Sequence, residues 1–221
     1  MARRGETGRE TRRASTIGVL ALQGDFGLHA RVLARLGVPT AEVRKPEQLA
    51  HVDGLIMPGG ESTTLLKLID AWDFVPALET FHATGKPIFG TCAGLILLAR
   101  DVLSPAQSSL GLIDITAERN AYGRQRESFE TELAADLGHG PATLKAVFIR
   151  APRIRRLGPE VTPLAEHRGE CVMARQGTVL VAAFHPELTD DTTVHDYFTR
   201  MVRSREVAPA GPGDGSRDRP A

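Results

Sequence analysis

The feature that most restricts the fold of this chain is the alternation of short apolar runs with amphipathic segments over residues 16–100. Residues 16–22, 52–57 and 86–90 are mostly apolar and of strand length, and residues 39–44 also favour a strand. Continuous apolar runs are typical of strands that are buried on both faces. Segments near 26–36, 62–72 and 93–100 instead place their apolar side chains on one helical face. The alternation predicts a mainly parallel, doubly wound sheet with right-handed crossovers.

The first helix has the clearest end signals. Asp25 precedes it and is expected to cap it, and Gly37 is expected to end it.

The second half of the chain has a different pattern after Gly111. Its predicted strands are residues 113–117, 128–133, 143–150, 161–167, 171–175 and 178–184, with a hairpin at 176–177 and a helix over 192–204. We therefore expect an α/β fold whose mainly parallel sheet has an antiparallel extension.

Domain boundaries follow from the two polar ends. Residues 1–14 lack periodicity and residues 208–221 are rich in Pro and Gly, so both are expected to be disordered tails around one domain over residues 15–207.

Composition excludes several classes of protein. The 27 basic and 27 acidic side chains cancel, so no overall field favours binding to nucleic acid or to an acidic membrane. Two cysteines are too few for a disulfide scaffold. The start lacks a secretory signal, and no apolar stretch approaches the ~18 residues that span a membrane. We expect a cytoplasmic protein that binds neither nucleic acid nor membranes.

A candidate nucleophile lies in residues 90–94, Gly-Thr-Cys-Ala-Gly, where a predicted strand passes into a helix. This matches the elbow in which a tight turn exposes a nucleophile above the sheet. Cys92 would also face the positive end of a helix dipole, which favours the thiolate form. The alternative is a buried cysteine with a structural role.

A candidate base follows another predicted strand, in His185-Pro186-Glu187. Residues i and i+2 of an extended chain point the same way, and Pro186 restricts the backbone between them. We therefore expect Glu187 to orient the His185 imidazole, while the other ring nitrogen serves Cys92.

A third motif is the Gly-rich run that ends the predicted strand at 52–57. Gly59 and Gly60 precede a helix start at Glu61-Ser62. Flexible glycines can turn N–H groups toward a developing oxyanion. The same pattern also suits a phosphate at a helix N-terminus.

Together and in this order, the three motifs resemble those of class I glutamine amidotransferases with a Cys-His-Glu triad. Further runs resemble the family of glutaminase subunits of pyridoxal 5'-phosphate synthases: residues 21–26, 58–64, 119–125 (Arg-Asn-Ala-Tyr-Gly-Arg-Gln), 128–130, 148–152 and 185–188. The resemblance covers residues 16–203. It implies a class I glutamine amidotransferase-like fold, which is flavodoxin-like.

The resemblance also implies a mechanism. Cys92 would attack the side-chain amide of glutamine to give a γ-glutamyl thioester and ammonia. His185 would protonate the departing ammonia and then activate water, with Glu187 holding its orientation.

Family glutamine-binding positions would carry over to six residues: Gly60, Glu61, Ser62, Arg119, Ile149 and Arg150. An arginine would meet the carboxylate of glutamine and Glu61 its ammonium; Arg119 and Arg150 are both open for the first role. Gly59, Gln23 and Ala93 are expected at the oxyanion site or at a partner interface.

The resemblance further implies a partner, the synthase (lyase) subunit of pyridoxal 5'-phosphate synthase, in a large hetero-oligomer that receives the ammonia. The chain has no phosphate loop, metal cluster or cofactor motif, so we expect no bound cofactor and no metal.

Two other classes of function stay open: a different hydrolase, such as a γ-glutamyl peptidase or thioesterase, and a non-catalytic binding module. Cys171 is expected to be structural, and His195 to lie on a solvated helix face beside Asp196.

Overall fold

A computed structural model describes residues 14–119, 128–138 and 140–207, without the side chains of residues 205–207. Both predicted tails, apart from Ala14, lie outside the described residues. The first half alternates strands and helices: β1 (Ile17–Leu20), α1 (Phe26–Arg35), β2 (Thr40–Val43), β3 (Gly54–Met57), α2 (Ser62–Ala71), α3 (Phe74–Ala83), β4 (Ile88–Thr91) and α4 (Ala93–Leu98). A 3-10 helix, Pro46–His51, separates β2 from β3.

The second half consists mainly of strands. These are β5 (Ala99–Leu103), β6 (Ile113–Glu118), β7 (Phe129–Asp136), β8 (Pro141–Phe148), β9 (Arg153–Leu157), β10 (Thr162–His167), β11 (Glu170–Gln176) and β12 (Val179–Ala182). A 3-10 helix, Pro186–Leu188, and the helix α5, Thr193–Val207, follow. No helix within the described ranges is long and apolar enough to cross a membrane.

The main sheet has nine strands in the order β2-β1-β3-β4-β12-β11-β10-β7-β8. The pairs from β2 through β12 are parallel, and those from β12 through β8 are antiparallel. Strands β5, β6 and β9 form a second sheet. The predicted parallel sheet with an antiparallel extension is therefore confirmed.

The core lies on both faces of the parallel half of the main sheet. Every residue of β1, β3, β4 and β12 is buried, as expected of strands covered by helices on two sides. Because parallel strands end at the same edge, β3, β4 and β12 bring the segments after Met57, Thr91 and Ala182 to one place.

Three elements do not appear in the sequence-based prediction. Helix α3 buries Phe74, Leu78 and Phe81 at helical spacing, and Pro76 is tolerated because it lies in the first turn. Strands β5 and β9 pair with β6 in the small sheet. The predicted helix over 93–100 ends at Leu98, because Ala99 already has extended backbone angles.

The prediction that Asp25 caps α1 is wrong. Asp25 occupies the N-cap position, but its backbone is not extended and its side chain makes no capping hydrogen bond. The carboxylate lies instead near His185 and Glu187.

Candidate active site

Cys92 lies at the sharp turn between β4 and α4. Its backbone has φ 47° and ψ −100°, a region that costs a non-glycine residue about 1–3 kcal/mol. Glycines make room for this turn: a methyl group on Gly94 would lie 2.1 Å from the carbonyl oxygen of Met57, and one on Gly90 would lie 2.6 Å from the carbonyl carbon of Gly94. The strained, crowded backbone matches the predicted nucleophile elbow.

His185 and Glu187 follow β12 at the same edge of the sheet. His185 Nδ1 lies 2.8 Å from Glu187 Oε1, and both residues are buried. The prediction of an extended chain here is wrong, because residues 186–188 form a 3-10 turn with His185 as its N-cap. The backbone N–H of His185 donates to the carbonyl of Val147 in β8 at 2.8 Å. The tight turn, rather than an extended i, i+2 geometry, therefore brings the carboxylate to the imidazole.

The charge state of this pair follows from its neighbours. Burial lowers the pKa of His185, but hydrogen bonds to Cys92 and Glu187 and the charges of both groups outweigh burial and raise it to about 10. Burial raises the pKa of Glu187, but interaction with His29 and the hydrogen bond from His185 leave it below its usual value. At neutral pH the pair is an imidazolium and a carboxylate, so His185 can donate a proton.

Gly59 brings the Gly-rich run against both reactive side chains. A methyl group on Gly59 would lie 2.4 Å from His185 Cε1 and 3.4 Å from Cys92 Cβ. One on Gly60 would lie 2.4 Å from Oε1 of Gln23, and that oxygen accepts the N–H of Glu61 at 3.1 Å. The N–H of Glu61 is thus already bonded. Close approach to His185 favours glycine at position 59, and a positive φ of 154° favours it at position 60.

A pocket of about 260 Å³ opens beside Cys92. This lies just below the roughly 300–1,000 Å³ of clefts that hold drug-sized ligands, and so suits a molecule the size of a free amino acid. Its lining includes eight of the predicted site residues: Gly60, Glu61, Ser62, Cys92, Arg119, Ile149, Arg150 and His185. Gln23, Gly59, Ala93 and Glu187 are not among the residues that line it, although Gly59 contacts the triad and Ala93 begins α4.

Opposite charges lie together on one wall of the pocket. Arg119 Nη2 donates to Thr63 Oγ1 at 3.0 Å and lies 3.6 Å from Glu61 Oε1. The Glu61 carboxylate accepts the N–H groups of Thr63 and Thr64 and thereby caps α2. Burial raises the pKa of Glu61, but the hydrogen bonds from Thr64 and Thr63 lower it below its ordinary value. Both the cation and the anion that a zwitterion needs are therefore present.

Two further lining residues directly follow strand β8. Ile149 is 38% exposed, and Arg150 has a positive φ of 47° and is also exposed. The rest of the predicted run at 119–125, from residue 120 onward, lies outside the described residues.

Sequence reasoning missed several residues of this site. Asp25, Ile96 and Pro152 also line the pocket. Asp25 and Pro152 lie within the runs that resemble the family, at 21–26 and 148–152, but none of the three residues is predicted as part of the site. Asp25, His185 and Glu187 are the one group within the described ranges whose donor atoms are spaced for a metal ion. Because His185 and Glu187 already bond each other, we infer no metal site.

His195 is a clear correction. It is fully buried rather than solvated, and its Nε2 lies 2.9 Å from Nδ1 of the equally buried His29. The reason is helical phase: His195 packs inward beside Phe89, whereas the adjacent Asp196 points outward and pairs with Arg200.

The second cysteine has different surroundings. Cys171 is partly buried in β11 and donates from Sγ to the carbonyl of Met173 at 3.3 Å. Burial raises its pKa to about 11, which disfavours the thiolate needed of a nucleophile. These features support the predicted structural role.

Comparisons with known proteins identify the family of the chain. Residues 19–204 match the model of the SNO glutamine amidotransferase family. The chain is 50% identical over 194 residues to pyridoxal 5'-phosphate synthase subunit PdxT of Shouchella clausii, covering 88% of this chain and 98% of that protein. It is 54% identical over 188 residues to the same-named protein of Koribacter versatilis, covering 85% of this chain and 96% of that protein.

Solved structures give the same result for the fold. A crystal structure of a glutamine amidotransferase matches with a TM-score of 0.79 and 46% identity, covering 85% of this chain and 98% of that chain. A glutamine amidotransferase from Thermotoga maritima shares the fold, with a TM-score of 0.57 at 12% identity. The match covers 90% of this chain and 87% of that chain.

Proposed function

This chain belongs to the SNO glutamine amidotransferase family, and we propose that it is the glutaminase subunit of a pyridoxal 5'-phosphate synthase. It hydrolyses L-glutamine to L-glutamate and ammonia for vitamin B6 synthesis. The observation that carries this proposal is the convergence of Cys92, His185 and Glu187 beside a pocket of amino-acid size. Identities of about half to curated subunits of that name, over nearly their whole length, support the choice of pathway.

The reaction begins at Cys92. The proton of its thiol has passed to His185, and the thiolate sulfur attacks the side-chain carbonyl carbon of glutamine, whose oxygen becomes an oxyanion. When the tetrahedral intermediate collapses, the C–N bond breaks, and the proton on His185 passes to the departing nitrogen, which leaves as ammonia. The product is a γ-glutamyl thioester. The raised pKa of His185, about 10, keeps the imidazole protonated and ready for this step.

The second half-reaction uses His185 in the opposite direction. The imidazole left neutral by the first step takes a proton from water, and the oxygen attacks the thioester carbon. The C–S bond then breaks, releasing glutamate and returning the sulfur of Cys92. Glu187 holds the imidazole through its 2.8 Å contact with Nδ1 and balances its positive charge.

The pocket binds glutamine by its charged ends and backbone. Arg119 or Arg150 meets the carboxylate and Glu61 the ammonium, with Gly60, Ser62 and Ile149 completing the site. At the reacting carbonyl, the glycine at 59 and the N-terminus of α4 at Ala93 supply the oxyanion site, with Gln23 supporting the turn at Gly60.

Ammonia released into water at neutral pH becomes mostly ammonium, which is not a nucleophile. A glutaminase that feeds synthesis therefore has to pass its product to a partner directly. We propose that this partner is the synthase subunit, in a hetero-oligomer, and that docking activates the glutaminase.

The test is glutamine hydrolysis and glutamine-dependent formation of pyridoxal 5'-phosphate, measured with and without the synthase subunit. We expect weak activity alone and a large increase on mixing. Cys92→Ala should abolish hydrolysis while still binding the synthase, and the matched control Cys171→Ala should behave as wild type. Hydrolysis of γ-glutamyl peptides or thioesters without the synthase would favour another hydrolase.

A further inference from the structure

A closed polar cluster lies behind Glu187, on the side away from the pocket. His29 of α1, Thr91 of β4 and His195 of α5 are each fully buried. His29 Nε2 lies 3.5 Å from Glu187 Oε2 and 3.3 Å from Thr91 Oγ1, and its Nδ1 lies 2.9 Å from His195 Nε2. None of these three residues lines the pocket beside Cys92.

The charged group in contact with this cluster is the Glu187 carboxylate. Burial lowers the pKa of His29 more than the nearby Glu187 carboxylate raises it, and burial, followed by the neighbouring His29, lowers the pKa of His195 to about 3. Both imidazoles are therefore neutral at pH 7. The other charged groups that act on them are His185 and Asp25 on His29, and Arg35 on His195.

Proton positions follow from this charge state. An ionised carboxylate oxygen accepts but cannot donate, so we assign the hydrogen of a neutral His29 to Nε2, which faces both Glu187 Oε2 and Thr91 Oγ1. The Nδ1 atom of a neutral His29 is then an acceptor, and His195 Nε2 must be the donor to it. The direction of donation therefore runs from His195 to His29 and from His29 toward Glu187.

This arrangement is costly for a purely structural core. Nδ1 of His195 is buried with no hydrogen-bond partner within the described part of the chain, and a buried unpaired polar atom destabilises a fold. Two apolar side chains of similar volume would avoid that cost. The second carboxylate oxygen of Glu187 likewise has no hydrogen bond there at standard geometry, and the His29 ring is the donor directed at it.

We infer that His29, oriented by His195, is a positioning residue for the reaction, because its Nε2–H fixes the second oxygen of Glu187 and thereby the His185 imidazole. This inference rests on the proposed function. His29 touches neither substrate nor the reacting atoms, so its effect falls on the rate of the chemical steps and not on glutamine binding.

The test compares His29→Leu, which removes the donor, with His29→Gln, which restores an N–H donor. In the full-length protein with its synthase, His29→Leu should lower kcat by about tenfold to a hundredfold, as losses of such supporting partners do. KM for glutamine should stay within about twofold. Because a hydrogen bond to the ionised form lowers a carboxyl pKa, its loss should move the acid limb of the kcat profile up by about one pH unit. His29→Gln should recover most of both effects.

A carbon-13 NMR titration of the Glu187 carboxyl separates this inference from the proposed function, since it needs no catalysis. The pKa of Glu187 should rise in His29→Leu and not in the control His82→Leu, whose histidine also buries an unpartnered Nδ1 but lies on α3. His195→Leu should raise the pKa of Glu187 by a smaller amount. If His29→Leu does not fold, His195→Leu takes its place as the test variant. An unchanged Glu187 titration in a folded variant would overturn the inference, whereas absence of glutaminase activity in wild type would overturn only the proposed function.

Discussion

The two sides of the triad are built differently. The rear wall, which we define as His29, Thr91 and His195, is fully buried and comes from the parallel half of the fold and the helices packed on it. The front wall, defined as Glu61, Arg119, Ile149 and Arg150, is largely exposed and draws half of its residues from the segment after β8. On the proposed function, the residues that orient the base are held in a closed core, whereas glutamine meets groups that water also reaches. Variants of the two walls should therefore fail in different ways.

The largest effect is expected where the rear wall meets the triad. Glu187→Gln removes the charge that faces His185 and can present an amide N–H to Nδ1, which favours the wrong tautomer. By analogy with the acid of a serine protease triad, kcat should fall by about a thousandfold or more. Steady-state kinetics would measure this, with an unchanged circular dichroism spectrum as the control for folding. A variant that kept wild-type kcat would remove Glu187 from the mechanism.

A slightly smaller loss is expected from Gly59→Ala, at the boundary between the two walls. The added methyl group would lie 2.4 Å from His185 Cε1, so the imidazole or the turn must shift, and such a displacement costs about a hundredfold in rate. Gly27→Ala is a matched control, because a methyl group there meets nothing within 4 Å. Equal activity of the two variants would contradict the close approach on which the site depends.

A front-wall variant should change binding and leave chemistry intact. Arg119→Gln removes the cation beside Glu61, so KM for glutamine should rise about tenfold, as for the loss of one charge-assisted hydrogen bond, with kcat nearly unchanged. Arg100→Gln, in an exposed ion pair with Asp114, is the control. A fall in kcat at constant KM would assign Arg119 to the chemical step and would blur the distinction between the walls.

The effect that is smallest at neutral pH is on stability, and it should be confined to the rear wall. The unfolded chain protonates His195 near pH 6.5, whereas burial, with His29 beside it, lowers the folded-state pKa to about 3. Its contribution to folding is therefore complete above pH 6.5 and is lost as pH falls toward 3, by at most about 1.4 kcal/mol per pH unit. Urea unfolding across this range should show a shallower pH dependence for His195→Leu than for wild type. Arg119→Gln should keep the wild-type dependence, and an unaltered slope in His195→Leu would count against a buried neutral imidazole.

The difference between the rear wall and the segments that carry the triad also explains which residues could be predicted from the sequence. Cys92 lies in a glycine-flanked elbow and His185 directly follows a buried strand, so local patterns pointed to both. His29 and His195 lie 166 positions apart. Helical spacing places His29 on the same face as Val32 and Leu33, but it does not show which residue of another element the imidazole meets. Their contact depends on how α1 and α5 pack, which periodicity does not specify.

Local rules also failed where the tertiary structure competes with them. Asp25 has the sequence position of a helix cap, yet its side chain does not cap α1 and its carboxylate lies near the triad. Glu61 could be predicted at a helix start and as the anion that meets the ammonium of the substrate, but only the structure shows that its carboxylate is already bonded to the N–H groups of α2. The alternation of strands and helices predicted the parallel half of the main sheet, whereas β5 and β9 are short and polar and become strands only by pairing with β6.

We propose that Cys92 carries the γ-glutamyl group during turnover. Rapid acid quench of the enzyme with its synthase and glutamine, followed by peptide mass spectrometry, tests it directly. We predict a γ-glutamyl adduct on the peptide that contains Cys92, none on the peptide that contains Cys171, and none in Cys92→Ala. Sustained hydrolysis by Cys92→Ala, or an adduct on any other residue, would contradict the account.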